Sequence, residues 1–283
     1  MTDAPLLSHA AAADFNAALR PCPVCGGTGA VLFSEAAWQD FTATLPSGER
    51  RALFAATLRA EPRLSFGAMA RCAGCGLLYP ARLPAPQALG AFYQTYFGNP
   101  GYQKKLKGKL RQRRLQLALL KPLVRGRRFL DIGCNLGAAV AAAHRAGFAA
   151  TGIDLSREAI ATAQTLFPGP RFLAGDLAAL PADERFDLVF CTEVIEHVLD
   201  PAAFFAELTA RLAPGGLLWL TTPDAGHRTA RAAGMAWDQI KPPEHLHLFT
   251  RAALARLTAS DYAWRVVLPN PRKPGLEMLA RRR

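Results

Sequence analysis

The spacing of hydrophobic positions changes at Arg127. Beyond it, short apolar runs alternate with stretches whose apolar residues recur every third or fourth position: RRFLDI then GAAVAAAHRAG, FAATGID then SREAIATAQTLF, RFLAGD, FDLVFCT then PAAFFAELTARLAPGG, LLWLTT, and TRAALARLTAS then YAWRVVLP. The runs read as strands and the stretches as helices. Apolar strands separated by helices predict an α/β fold, with a doubly wound, mostly parallel sheet covered on both faces. Asp200 followed by Pro201 predicts a capped helix start, and Pro214-Gly215-Gly216 predicts where that helix stops.

Upstream the pattern differs. In KKLKGKLRQRRLQLALLKPLVRGRR (104–128), Leu106, Leu110, Leu117 and Leu120 fall on one helical face, so residues 87–126 are expected to form a basic helical linker or cap. SGERRALFAATLRAEP (47–62) reads as a helix bracketed by prolines. The expected division is a loosely held leader at 1–20, a small cysteine-bearing module with a helical insertion at 21–86, the helical linker, and the α/β domain at 127–283.

Charge is concentrated in one stretch. The net charge is +12, yet Pro62 to Leu130 holds 14 Lys and Arg and no Asp or Glu, which leaves the rest near balance. This stretch is either a solvated helix face or a dock for an anionic small-molecule acceptor. It lacks interleaved aromatics, which favours the first reading and counts against nucleic acid. No apolar run approaches the ~20 residues that span a bilayer. The N-terminal MTDAPLLSHAAAADF has no basic n-region. A cytoplasmic protein without a membrane partner is expected, and the sequence leaves its oligomeric state open.

Six cysteines in such a protein do not read as a disulfide framework. Cys22, Cys25, Cys72 and Cys75 form two C-x-x-C-G units, whose glycines let the backbone turn and aim amides at the sulfurs. Four soft ligands in that arrangement suit structural zinc. Cys134 and Cys191 stand alone and read as small buried residues.

Acids mark the strand ends, where a doubly wound sheet binds its ligands. Asp131 precedes Gly133 and Gly137 in FLDIGCNLG (129–137), Asp154 ends the second strand, and Asp176 ends the third. An acid ahead of a glycine loop repels pyrophosphate and welcomes an ammonium, and the helix start that follows suits a carboxylate. Ammonium and carboxylate side by side are the amino-acid end of S-adenosylmethionine. Asp154 would then take the two ribose hydroxyls and Asp176 the adenine amino group. Cys134, Asn135, Leu155 and Leu177 complete the candidate cofactor-binding set, with Glu193 beside the sulfonium.

This ordered set resembles class I S-adenosylmethionine-dependent methyltransferases, well over about residues 127–222 and loosely beyond. The resemblance implies a Rossmann-like sheet of the seven-stranded type. The cysteine module is similar to that of a bacterial subset with an N-terminal zinc knuckle, whose members often act on small molecules, sugars included. Asn135 stands where the family usually has its middle glycine, and Asn tolerates left-handed backbone.

CTEVIEH (191–197) follows the fourth strand. A helix starting at Glu193 would put Glu193, Glu196 and His197 on one face. EVIEHVLDP resembles the corresponding segment of quinone-biosynthesis O-methyltransferases and small-RNA 2′-O-methyltransferases. The resemblance implies a divalent ion, Mg²⁺ or Mn²⁺, at Glu193, Glu196, His197 and His245, the last from EHLHLFTR (244–251). Bacterial relatives carry the same segments without metal, which leaves a histidine base or a structural tie as further readings. Glu193, His197 and His245 are the candidate catalytic residues. The expected activity is methyl transfer to a hydroxyl of a small molecule or sugar, with RNA as the alternative acceptor. A nicotinamide oxidoreductase would need the missing G-x-G-x-x-G. A non-catalytic binding protein would have no use for the glutamate–histidine set.

Overall fold

The computed structural model describes residues 19–95, 101–257, 261–270 and 273–283. Nearly all of the expected leader (residues 1–18) and the end of the helix expected at 250–260 lie outside the described residues.

Near the N-terminus a three-stranded antiparallel sheet has the order β1 (Gly29–Ser34), β2 (Ala68–Cys72), β3 (Leu78–Pro80). Helices α1 (Glu35–Ala43) and α2 (Arg50–Ala60) lie between β1 and β2, and α2 is the helix expected at 47–62. The Ser34 hydroxyl caps α1 by accepting from Ala37 N. The Glu35 carboxylate accepts from the N–H groups of Phe66 and Gly67, closing the insertion. Next come α3 (Pro86–Thr95) and α4 (Gly101–Leu120). In α4, Leu117 and Leu120 are buried and Leu106 and Leu110 half-buried. The leucine face is the inner face, and it packs on α5 (Ala138–Arg145).

The doubly wound fold expected from the sequence is present. Among the described residues its sheet has seven strands, in the order β6 (Arg171–Ala174), β5 (Ala149–Asp154), β4 (Arg128–Ile132), β7 (Phe186–Thr192), β8 (Leu212–Pro223), β10 (Gly275–Arg282), β9 (Tyr262–Pro269). The first five are parallel, and β10 runs antiparallel to both neighbours. From β4 the chain steps out to β5 and β6, then returns to β7 on the other side. The switch point, where such sheets bind ligands, therefore lies between β4 and β7. Helices α6 (Arg157–Leu166), α7 (Pro201–Arg211), α8 (Arg228–Ala233) and α9 (Arg251–Leu257) complete the fold. No helix of the described residues is long and apolar enough to cross a membrane.

One local expectation needs correction, and one strand has no counterpart in the sequence pattern. Asp200 caps α7 as expected, accepting from Ala202 N and Ala203 N. The helix, however, ends at Arg211, and Pro214-Gly215-Gly216 lies within β8 where the pairing with β7 is irregular. Gly215, at φ 73°, takes the left-handed turn of that bulge. The strand Gly275–Arg282 is not foreseen by the pattern, because its sequence, GLEMLARR, lacks clear alternation.

The N-terminal sheet shares its core with the large domain. Phe33, Trp38, Phe54, Leu58 and Phe66 pack in one cluster with Trp237, Ile240, Leu246 and Leu248. Cys22, Cys72, Leu77 and Tyr79 belong to the cluster that includes Val189, Leu218 and Phe249. Trp38 Nε1 donates to Ile240 O at 3.3 Å, and Leu78 and Leu248 form a β-bridge. Trp38 is fully buried. Trp38→Ala should therefore cost about 3–5 kcal/mol and move a single unfolding transition of the whole chain. Urea denaturation followed by far-UV circular dichroism checks this; an unshifted main transition would show that the two parts fold separately.

Candidate active site

A cavity of about 770 Å³ opens at the carboxyl ends of β4 to β7. One end is walled by Gly133, Asn135, Asp154, Leu155, Asp176 and Leu177. Gly133 and Asn135 have φ of 71° and 50°. A Cβ on Gly133 would lie 2.5 Å from Val194 Cγ2, so the loop needs glycine there for room as well as for its turn. The Asp154 carboxylate accepts from Asn135 N at 2.8 Å and from Ser156 N at 2.9 Å. It pins the glycine loop, and each oxygen keeps a second lone pair for a ligand. Asp176 is exposed and also caps the following turn, accepting from Ala178 N at 2.9 Å.

Three expected cofactor residues stand back from this wall. Gly137, at φ 76°, opens α5 against Phe172, and a Cβ there would meet that ring at 2.6 Å. Cys134 turns its side chain into the core beside Val140 and Gly152, and its N–H is spent on Ile153 O. Its side chain is a small packing group, as expected of a lone cysteine, and does not line the cavity. Asp131 is 4% exposed, behind Ile132 and Gly133, and its Oδ1 is buried without a hydrogen-bond partner. Burial pushes its carboxyl up to about 7; Arg113 and Lys109 pull the other way, and Asp154 adds to the rise.

Arg113 is a site residue that sequence reasoning missed. It reaches inward from α4, donating to Thr192 Oγ1 at 3.1 Å and Gln116 Oε1 at 2.7 Å, with its guanidinium over the Phe190 ring. The usable signal was its place one turn from Lys109 and Leu110 on the helix's inner side; the surrounding run of cations masked it.

The other end of the cavity holds His197, His245, Glu244, Lys241 and Arg50. Glu193 to His197 is not helical. Thr192 ends β7, Glu193 takes φ 57°, and His197 N bonds to Val194 O in a turn. The expected shared face is therefore absent, and the two glutamates separate. Glu193 Oε1 accepts from Thr221 Oγ1 at 2.9 Å. Glu196 is fully buried; its Oε2 accepts from Thr222 Oγ1 at 2.9 Å, and its Oε1 has no hydrogen-bond partner. The ligating atoms of Glu196, His197 and His245 lie within 4.8 Å of one another, and Glu193 is outside that cluster.

Both histidines are oriented by main-chain carbonyls. His197 Nδ1 donates to Glu244 O at 2.8 Å and His245 Nδ1 donates to Gln239 O at 3.0 Å. A carbonyl only accepts, so the proton sits on Nδ1 and each Nε2 keeps its lone pair. Burial lowers both histidine pKa values, most for His245, where His197 adds to the effect. Burial and Glu193 raise that of Glu196 well above the usual range. The Tyr93 hydroxyl donates to Glu244 O at 2.8 Å, bracing the carbonyl that holds His197. His247 plays a separate part, since its Nδ1 donates to Val198 O and its Nε2 accepts from Arg20.

A second cavity of about 740 Å³, lined by Gln112, Arg113, Gln116, Thr221, Trp237 and Lys273, meets the first at Glu193 and Gln239. Within the N-terminal module the four expected cysteines converge. Cys22 and Cys75 sulfurs are 3.6 Å apart, those of Cys25 and Cys72 3.4 Å, and all four lie within 4.8 Å of one another. A tetrahedron of thiolates with bonds of about 2.3 Å has edges near ~3.8 Å, so the cluster has room for one ion. Gly26 N bonds to Cys22 O and Gly76 N to Cys72 O, with both glycines left-handed, which makes the two turns equivalent.

Residues 102–262 match a family model described as a methyltransferase domain. A ubiquinone biosynthesis O-methyltransferase of Methylococcus capsulatus is 34% identical over 115 residues, 38% of this chain and 48% of that protein. A trans-aconitate 2-methyltransferase of Delftia acidovorans is 34% identical over 119 residues, 39% of this chain and 44% of that protein. The chain spans about half the length of the curated relatives it matches. Among solved structures, magnesium protoporphyrin IX methyltransferase from Synechocystis with bound SAH superposes with a TM-score of 0.53, at 17% identity, over 68% of this chain and 99% of that one. That likeness establishes the fold.

Asp131 yields a test by pH. Its folded pKa is raised, so the native state holds a proton that the unfolded state has lost, and stability falls as pH rises from about 4 to about 7. Asp131→Asn is spared that loss. At pH 8 it should be more stable than the wild type, and its margin should shrink by on the order of 2–3 kcal/mol at pH 5. Denaturation curves of both proteins at the two pH values check this; a margin independent of pH would contradict it.

Proposed function

The chain belongs to the family described by the methyltransferase-domain model, and on that premise we propose that it moves a methyl group from S-adenosylmethionine to a hydroxyl oxygen of a small-molecule acceptor. One observation carries this reading. A single cavity runs from Asp154 and Asp176, acids suited to a nucleoside, to His197 and His245, with Glu193 between them. The O-methyltransferase names among the relatives support oxygen as the target. The second cavity, of about 740 Å³, is of a size that suits a small molecule better than RNA.

When bound, S-adenosylmethionine supplies an electrophilic methyl group on a sulfonium. Asp154 would hold the ribose hydroxyls with its remaining lone pairs, and Leu155 and Leu177 would offer apolar surface to the adenine. Asp131 and Glu193 make the loop end negative for the ammonium. Arg113, fixed by Thr192 and Gln116, keeps three N–H groups for the carboxylate. The acceptor would enter through the second cavity and cross the junction at Glu193 and Gln239, which would bring its hydroxyl to the histidine end of the first cavity, where positioning lowers the barrier.

The buried donor set fits a divalent cation. Glu196 Oε1 and the Nε2 atoms of His197 and His245 would hold it, with Glu244 O and Gln239 O orienting the rings from behind. Such an ion lowers the pKa of an acceptor hydroxyl. Two imidazoles favour Mn²⁺ over Mg²⁺. The four cysteines would hold one zinc ion, which would brace the N-terminal sheet.

Incubation with labelled S-adenosylmethionine and a panel of hydroxylated metabolites and RNA tests the reaction; label confined to RNA would overturn the small-molecule reading. Chelator should abolish turnover and Mn²⁺ should restore it better than Mg²⁺, whereas His245→Ala should lose at least about a hundredfold with either ion. Full turnover in chelator would leave a histidine base in place of the ion. Elemental analysis should find about one zinc per chain and less in Cys72→Ser. Equal zinc in the variant would remove the cysteine assignment.

A further inference from the structure

Nine large hydrophobic side chains are exposed among the described residues, and six of them lie on two adjoining elements. Leu115 (63% exposed), Leu119 (77%) and Leu123 (43%) lie along α4 and the turn after it, and Trp264 (38%), Val266 (45%) and Leu268 (59%) alternate along β9. Alternation puts the three β9 residues on one face of the sheet. Val266 pairs with Leu279 on β10, and Leu279 with Trp219 on β8. Leu279 and Trp219 are half-buried against the cluster that contains Leu117 and Leu120 of α4. The two apolar stripes therefore flank one trough. Arg281 ties them together: it donates to Leu123 O at 2.8 Å, and its guanidinium lies over the Trp264 ring at 5.7 Å.

The helical wall of the trough is basic. Residues 105–128 carry ten Lys and Arg and no acid, and Arg281 adds a cation between the two stripes. Lys105, Lys107, Arg111, Arg114 and Arg125 are exposed beside the leucines. A second copy of so basic a face would be repelled. A nucleic acid would match the charge and have no use for four exposed leucines, a valine and a tryptophan. An anionic lipid surface matches both, since acyl chains accept the apolar side chains and head groups pair with the cations. We propose that the α4–β9 face docks this protein on anionic membrane surfaces. The expectation of no membrane partner came from the lack of a spanning segment, and a surface dock needs none. This inference does not depend on the methyltransferase reading.

Co-sedimentation with vesicles tests it, using phosphatidylcholine alone and phosphatidylcholine with roughly one third phosphatidylglycerol. The full chain should partition onto the anionic vesicles, weakly onto neutral ones, and less as salt rises. Leu119→Gln and Leu268→Gln, both at positions more than half exposed, should each lower the partition about tenfold with unchanged circular dichroism and melting temperature. Failure to bind anionic vesicles would overturn the proposal. So would binding that both glutamine variants retain in full, since charge alone would then suffice. A dimer in sedimentation velocity that either variant dissolves would assign the face to a second copy instead.

Discussion

The main-chain carbonyl of Glu196 accepts two N–H groups, from Leu246 at 2.8 Å and from His247 at 3.0 Å. That pair of bonds staples the turn after β7 to a segment some fifty residues later in the chain, and most of the candidate site depends on it. With the staple in place, His245 stands beside His197, their rings 4.7 Å apart and nearly perpendicular. Leu248 is held next, by its bridge to Leu78 of β3. The N-terminal sheet, with its cysteine cluster, thus supports the outer side of the strand ends. Arg51 donates to Ala236 O, and Arg50 pairs with Glu244 at 3.2 Å, which extends the support to the residues that orient the histidines.

Several features of the site oppose stability. Glu196 and Asp131 are buried carboxyls, each with an oxygen that finds no partner. Glu193 occupies left-handed backbone at φ 57°, which costs about 1–2 kcal/mol for a residue with a side chain. Such costs persist where surrounding structure enforces them, and they gather at working sites. All three residues sit at the ends of β4 and β7, the two strands that flank the switch point. Each lies where an ammonium, a sulfonium or a divalent ion would offset the cost.

The fold was largely legible because β4 to β8 are short apolar runs whose acids fall at their carboxyl ends. Asp154, Asp176, Gly133 and the left-handed Asn135 all stand where that pattern put them. The cysteines were legible from a repeated unit. What the sequence hid was governed by tertiary context. CTEVIEH has helical spacing, yet Glu193 turns left-handed so that Thr221 and Thr222 can each take a different glutamate. Pro214-Gly215-Gly216 looks like a terminator and is a bulge inside β8. Cys134 shares a loop with the cavity-lining Gly133 and Asn135, but its side chain packs into the core. Arg113 was lost among like charges, because only the burial of the leucines beside it shows which way it points.

The proposed function needs one small-molecule site at the switch point, governed by the charge of a buried carboxylate. Calorimetric titration of the full chain with S-adenosylhomocysteine at several pH values measures this most directly. One site per chain is expected, with an affinity that is steady above pH 7 and falls about tenfold per unit below it, because the ammonium would need Asp131 ionised and its carboxyl in the free protein is held at about 7. No heat at any pH, or an affinity that ignores the titration of Asp131, would contradict it.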